Sequence, residues 1–255
     1  MTSSENTIHR VMHEIRHRQL TVLRVVELTP RMRRITLGGA QLQGFISLGT
    51  DDHVKLLFAN TPEEQAAMDA LDLPKDGIKP TMREYTPRRI DLVANELDLD
   101  FVLHGDGPAS TWAERAAPGH TLNIAGPRGS LVVPDIFDSY LLVGDETAIP
   151  AIGRRLEELP AGRKVLALIE IEDAQERQAL PSKADVEVIW IERHREDLLQ
   201  VLADVSLPPG ELYAWVALEK ALTRKAKALL LEQKGIADER IKAAAYWRLD
   251  PNDDE

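Results

Sequence analysis

The sequence predicts a two-domain protein, an N-terminal antiparallel β-barrel followed by a C-terminal α/β domain with a parallel sheet. Two observations carry this. From about Leu20 to Val133, short β-like runs follow one another with Gly- and Pro-bearing breaks between them. After Pro134–Asp138 strand-like runs alternate with helical stretches, which requires crossover helices and parallel strands. The domain boundaries read from this change are 18–134 and 138–255, and a chain of 255 residues suffices for both.

Taken in order, the barrel runs are Leu20–Leu28, Arg34–Leu37, His53–Phe58, Leu97–Leu103, Thr121–Ala125 and Ser130–Val133. Six such runs bounded by turn residues suit a closed antiparallel sheet. Asn60–Met82 is polar, acidic and Pro-bearing, and is expected to be an exposed insertion. The second half reads Tyr140–Val143, Ala148–Leu159, Lys164–Ile171, Val186–Ile191, Arg195–Val201, Tyr213–Ala217 and Glu219–Lys234, with Tyr213–Ala217 as its last strand. The tail Asp250–Glu255 is expected to be solvated.

Composition narrows the function. With 44% hydrophobic and 29% charged residues the chain is an ordinary soluble globular protein. A net charge of −11 argues against non-specific nucleic-acid binding, and an anion binds only where local Lys and Arg override the field. The absence of cysteine excludes disulfides, Cys-ligated zinc, iron–sulfur clusters and a thiol nucleophile. Neither an N-terminal apolar h-region nor an 18-residue apolar run occurs, so no membrane insertion and a cytoplasmic location are expected, and a monomer is expected. His9, His13 and His17 recur every fourth residue, a spacing that binds metal on a helix. No carboxylate completes an obvious pocket, so an exposed helix or disordered arm, and no metal site, is expected.

Arg83-Glu84-Tyr85-Thr86-Pro87-Arg88 is the most informative stretch. Strand alternation puts Arg83 and Tyr85 on one face and Thr86 on the other, unless the strand bends near Pro87. Arg supplies a forked donor to a diphosphate, Tyr a stacking face, and Thr a hydroxyl for a ring heteroatom. By itself the stretch reads first as an edge strand with a buried Tyr and a solvated Arg. Val102 and His104 end the next strand-like run, and Gly105-Asp106-Gly107-Pro108-Ala109-Ser110 opens a helical pattern. Gly107 permits close backbone approach, and Ser110 stands where free amides point outward, or serves as an ordinary N-cap. In the second half Gly144-Asp145-Glu146-Thr147-Ala148 turns a buried strand into a helix, the place where α/β sheets bind ligands. A plain turn capped by Thr147 reads equally from propensity.

Together these stretches resemble the ferredoxin–NADP reductase superfamily, whose paired motifs are Arg-x-Tyr-[Ser/Thr] and Gly-x-x-Ser. More closely, the chain resembles the siderophore-interacting protein family. That resemblance rests on Asp52-His53-Val54-Lys55-Leu56, Arg83–Arg88, His104–Trp112, Gly126-Pro127-Arg128-Gly129-Ser130, Gly144–Thr147 and Tyr246-Trp247-Arg248, from about Leu20 to Arg248. It implies FAD between the barrel and the α/β half. Tyr85 and Thr86 would hold the isoalloxazine, Arg83 the diphosphate, and His104 the ribityl or phosphate run, with Val102 beside it. Gly107, Ala109 and Ser110 would close around the phosphates. Asp145, Thr147 and Ala148 would lie near the flavin where a nicotinamide nucleotide docks. Tyr246 and Trp247 would cover the flavin or pack the C-terminus.

The implied activity is reduction of a ferric siderophore by NAD(P)H through FAD, with no acid–base catalytic residue. Alternatives are a flavin reductase of the same fold using ferredoxin or flavodoxin, with a ferredoxin-like donor, and a non-catalytic siderophore-binding protein. Lys55, Arg128 and Lys242 are the candidate cations for an anionic chelate, although Lys55 taken alone reads first as snorkelling from a barrel strand. Glu170, Glu172 and Asp173 would repel a 2′-phosphate whereas Arg193 and Arg195 would attract one; NADPH is favoured as donor and NADH stays open. One departure stands out. Ala217-Leu218-Glu219 replaces the family's usual Ala-Gly-Glu, and a leucine side chain crowds close approach of a nucleotide.

Overall fold

A computed structural model describes residues 7–69, 80–105 and 107–249. The chain divides into two compact units, Met1–Pro134 and Asp135–Glu255. The first carries strands β1 (His9–Met12), β2 (His17–Thr29), β3 (Met32–Gly38), β4 (Val54–Phe58), β5 (Thr81–Tyr85), β6 (Arg89–Asp91), β7 (Glu96–Val102), β8 (Thr121–Ala125) and β9 (Gly129–Val132). Its helices are α1 (Pro62–Asp69) and α2 (Pro108–Arg115). Seven strands form one sheet in the order β5-β4-β8-β2-β3-β7-β6, every pairing antiparallel.

Alternation decides which side chains meet inside. Leu20 and Val22, Ile35 and Leu37, Val54 and Leu56, Leu97 and Leu99, and Leu122 and Ile124 join one core, which Ala109 and Ala113 of α2 complete. Tyr85 of edge strand β5 stacks on Phe101 of β7 with ring centroids 4.5 Å apart, although four strands separate β5 from β7 in the sheet order. Only a sheet curled almost onto itself allows that contact, so the unit is a barrel. Outside it, a ladder of charges bridges the strands. Arg89 reaches Asp98 (2.7 Å) and Glu96 (2.7 Å), Arg24 also binds Glu96 (2.6 Å), and Arg34 binds Asp100 (2.7 Å).

Several expectations need correcting here. His9, His13 and His17 do not share a helix face: His9 lies in β1 and His17 in β2. Ser130–Val133 is not a barrel strand, because β9 pairs with β1 in a separate two-stranded sheet. The insertion is not exposed throughout. It carries α1, whose Met68 packs on Leu57 and Ala125 outside the barrel, and its end at Met82 already belongs to β5. The rest of the insertion, 70–79, and the tail Asp250–Glu255 lie outside the described residues.

The second unit carries β10 (Ser139–Gly144), α3 (Ile149–Glu158), β11 (Lys164–Ile171), β12 (Asp185–Glu192), α4 (Leu198–Asp204), β13 (Leu212–Glu219), α5 (Lys220–Glu232) and β14 (Ile241–Trp247). Its sheet is wholly parallel in the order β12-β11-β10-β13-β14. Leu141, Val143, Leu166 and Leu168 face a core shared with α4 and α5. Tyr140 faces the other way, under the guanidinium of Arg155 from α3, 4.7 Å from its ring centre. Helices thus cover both faces, which is why the strands read as unbroken apolar runs. The last strand is β14, not Tyr213–Ala217. Its Ala-rich centre lacks the apolar run of its neighbours, since an edge strand is covered less.

Candidate functional site

In the first unit, Arg83 and Tyr85 stand opposite Leu56 and Val54, two core-facing residues of β4, so both point to the core side of the barrel edge. Arg83 is nevertheless exposed and, among the described residues, donates only to the neighbouring Met82 carbonyl (2.8 Å). The Tyr85 ring is held against Phe101, and burial raises its hydroxyl above the ordinary tyrosine value despite the nearby Arg83 charge. β5 ends at Tyr85, and Thr86 beyond it is buried. Among the described residues neither the Tyr85 nor the Thr86 hydroxyl has a hydrogen-bond partner. Neither oxygen is buried without a partner; both are open to solvent and so within reach of a polar ligand edge.

Val102 is the last residue of β7 and His104 is exposed just after it. Gly105 (φ 80°) and Gly107 (φ 98°) take left-handed conformations that a side chain would strain. Gly107 is the N-cap of α2 and supplies no side chain. The first intrahelical bond is Thr111 N–H to Gly107 O, leaving the Ala109 and Ser110 amides ahead of it. Ser110 is not the N-cap. It lies in the first turn, fully buried, and its Oγ accepts from the His104 amide (3.1 Å), tying the loop together. Uncapped amides at a helix start, with no Cβ in the way, fit the diphosphate of FAD.

In the second unit, β10 ends at Gly144, where a Cβ would strike that of Ala148; the missing side chain lets the chain turn sharply. Asp145, not Thr147, is the capping residue. Its Oδ1 accepts from Thr147 N (2.9 Å) and Thr147 Oγ1 (2.5 Å), and its Oδ2 from Trp247 Nε1 (2.7 Å). Burial raises the Asp145 carboxyl above its ordinary value, opposed by those bonds from Thr147 and Trp247. Ala148 is fully buried behind it. Tyr246 packs edge-on against Trp215 with centroids 5.9 Å apart, anchoring β14, whereas Trp247 remains 38% exposed. Tyr246 is therefore packed against the sheet, and Trp247 is partly open to solvent.

The charges expected to discriminate between nucleotides are already engaged within the protein. Arg193 binds Glu146 (2.5 Å), Glu170 (3.0 Å) and Glu172 (2.9 Å) together, Arg195 binds Glu192 (3.0 Å), and Asp173 caps a turn through the Gln175 amide (2.8 Å). Burial raises Glu146, partly offset by Arg193. Leu218 is fully buried in the α4–α5 core, and Glu219 caps α5 by accepting from the Ala221 and Leu222 amides. The glycine-to-leucine departure therefore places its side chain in the core.

Of the candidate cations, Lys55 faces outward from β4 with its side chain half exposed, 3.8 Å from Glu84. Its exposure removes the need for snorkelling. Arg128 is exposed at the turn before β9. Both belong to the first unit, where Lys55 pairs with Ala125, three residues before Arg128. Lys242 is half-buried in β14, opposite Trp215, in the second unit.

Two family models divide the chain between them: a siderophore-interacting FAD-binding domain matches residues 21–131, and a siderophore-interacting protein domain matches 137–250. An NADPH-dependent ferric-chelate reductase of Escherichia coli is 36% identical over 97% of this chain and 99% of its own length. The chain belongs to the siderophore-interacting protein family. A ferric vibriobactin reductase of Vibrio cholerae is 31% identical over 93% of this chain and 91% of its own. Among solved structures of the family, a siderophore utilization protein from T. fusca superposes with a TM-score of 0.85 at 34% identity, covering 95% of this chain and 97% of its own. The siderophore-interacting protein SipS of Aeromonas hydrophila gives 0.77 at 29% identity, over 92% of each chain. No helix among the described residues is long and apolar enough to cross a membrane.

Proposed function

We propose that this chain is a flavin-dependent ferric-siderophore reductase of the cytoplasm, with residues 18–134 as its FAD-binding domain and 138–255 as its NAD(P)-binding domain. The observation that carries the reading is the pairing of the unpartnered Tyr85 and Thr86 hydroxyls with the uncapped start of α2, in a chain of this family. Bound FAD would supply what no side chain can, accepting a hydride from a nicotinamide nucleotide and giving up electrons singly to iron(III). Tyr85 and Thr86 hold the flavin ring, and Arg83, Val102, His104, Gly107, Ala109 and Ser110 hold the ribityl–diphosphate run. Asp145, Thr147, Ala148, Tyr246 and Trp247 shape the nucleotide side. Lys55, Arg128 and Lys242 draw in the anionic chelate, offsetting the repulsion of a chain of net charge −11.

NADPH is the proposed donor, supported by the name of the Escherichia coli relative. Because Arg193 is already held by three carboxylates, a 2′-phosphate must displace one of them to reach its guanidinium, whereas Arg195, paired among the described residues only with Glu192 and largely exposed, is accessible. The test is NAD(P)H oxidation by the purified holoenzyme with a ferric chelate, iron(II) being trapped by ferrozine. Turnover with NADPH, and FAD released on denaturation, are expected. Protein that takes up no FAD, or that reduces only ferredoxin or flavodoxin, would overturn the reading.

A further inference from the structure

Asp52 is buried, 4% exposed, in the segment that leads into β4 and Lys55. Its Oδ2 accepts from Ser130 Oγ (2.5 Å), Ser47 Oγ (2.9 Å) and Gly49 N (3.1 Å). A serine hydroxyl has one hydrogen, and that of Ser130 is engaged by Asp52. Ser130 Oγ must therefore accept from its other two neighbours, the Leu48 amide (3.1 Å) and His13 Nε2 (2.7 Å), which makes Nε2 the protonated ring nitrogen. The turn 126–130 is held at further points. Arg18 donates to Gly126 O (3.0 Å), Gly126 N donates to Arg16 O (3.1 Å), and His13 N donates to Arg128 O (2.8 Å).

The backbone on both sides of Arg128 is thus pinned, while its side chain is exposed and has no hydrogen-bond partner among the described residues. Two segments distant in sequence, one leading to Lys55 and one carrying Arg128, meet at a single buried carboxylate. We propose that Asp52, acting through Ser130, is a positioning residue for the acceptor site: it sets the spacing of the Lys55 and Arg128 side chains and so selects anionic ferric chelates. This rests on the acceptor reading given above. Fixing two cations in place before the ligand arrives lowers the ordering cost of binding, which is what a rigid support contributes.

The test uses oxidised holoenzyme and redox-inert gallium(III) complexes, an anionic tris-catecholate and a neutral tris-hydroxamate, with affinity measured by titration calorimetry. Ser130→Ala should weaken the catecholate complex roughly fivefold, the scale of one lost buried hydrogen bond, and leave the hydroxamate complex and the flavin content as in wild type. Arg128→Gln should weaken the catecholate complex too, and Ser130→Ala added to it should have no further effect, because the two act in series. Should Ser130→Ala misfold, Ser47→Ala removes another donor to the same carboxylate and should show the same selectivity. Equal losses for both complexes, or additive losses in the double variant, would make Asp52 merely structural. If Arg128→Gln leaves catecholate affinity unchanged, the acceptor reading itself fails and the positioning role falls with it.

Discussion

At the scale of single residues, Arg83 and Asp145 are held in opposite ways. Arg83 is exposed, with no bond beyond its neighbour's carbonyl among the described residues, and is available to a phosphate. Arg83→Ala should therefore weaken FAD by about 1.5 kcal/mol, a Kd roughly tenfold higher, with the melting temperature of FAD-free protein unchanged. Equilibrium titration of apoprotein checks this, and an unchanged Kd would remove Arg83 from the site. Asp145 is fully engaged instead. Trp247→Phe deletes the Nε1 donor and leaves Oδ2 buried and unpaired, costing about 1–3 kcal/mol at neutral pH. The Asp145 carboxyl is already raised by burial, and losing a donor raises it further. Between its ordinary value of 3.8 and the raised one, the folded protein binds the extra proton, so stability falls as pH rises through that window. The deficit of Trp247→Phe in urea unfolding should accordingly shrink as the pH is lowered toward 4. A deficit independent of pH would mean that the indole acts by packing alone.

At the scale of elements, β14 and β1 show where local pattern fails. β1 is a four-residue strand stabilised by pairing with β9, which the chain reaches only far downstream, and β14 is an edge strand paired on one side alone, with β13. β13, by contrast, is buried along its whole length and legible as an apolar run. The same burial settles the glycine-to-leucine departure. Leu218 fills the α4–α5 core, so Leu218→Ala should cost about 2–5 kcal/mol through cavity formation. Any loss of nucleotide affinity should follow loss of folded protein, not precede it. Chemical unfolding combined with NADPH titration separates the two. A stable Leu218→Ala protein that binds NADPH more tightly would show that the leucine was obstructing the loop.

At the scale of the molecule, the two units respond to acid with opposite sign. In the barrel, hydrogen bonds from Arg24 and Arg89 hold Glu96 down at about 2, against an ordinary 4.5. That contribution is complete above pH 4.5 and is lost as the pH falls toward 2. In the α/β unit, burial raises both Asp145 and Glu146, so mild acidification relieves a penalty there. Hydrogen exchange followed separately in residues 7–134 and 135–249, and corrected for the intrinsic rate, should show protection rising in the second unit as the pH drops toward the ordinary carboxyl values of 3.8 and 4.5. The barrel should weaken only below about pH 4.5. Parallel loss in both units from neutrality downward would contradict these carboxyl environments.

The sequence by itself determined the two-part architecture, because strand and helix periods are local properties written every two or every three to four residues. It also determined the chemistry on offer: an Arg-x-Tyr-Thr strand, a Gly-x-x-Ser helix start, and no cysteine. Only the tertiary structure decided which polar groups meet. Asp145 and Trp247 lie 102 residues apart, and Asp52 and Ser130 lie 78 apart. Arg193 could be read as a phosphate receptor until Glu146, Glu170 and Glu172 were found around it. The physical reason is that periodicity reports only which face of an element is apolar. A hydrogen bond or an ion pair depends on angstrom-scale distances between elements, and these are set by how the cores pack.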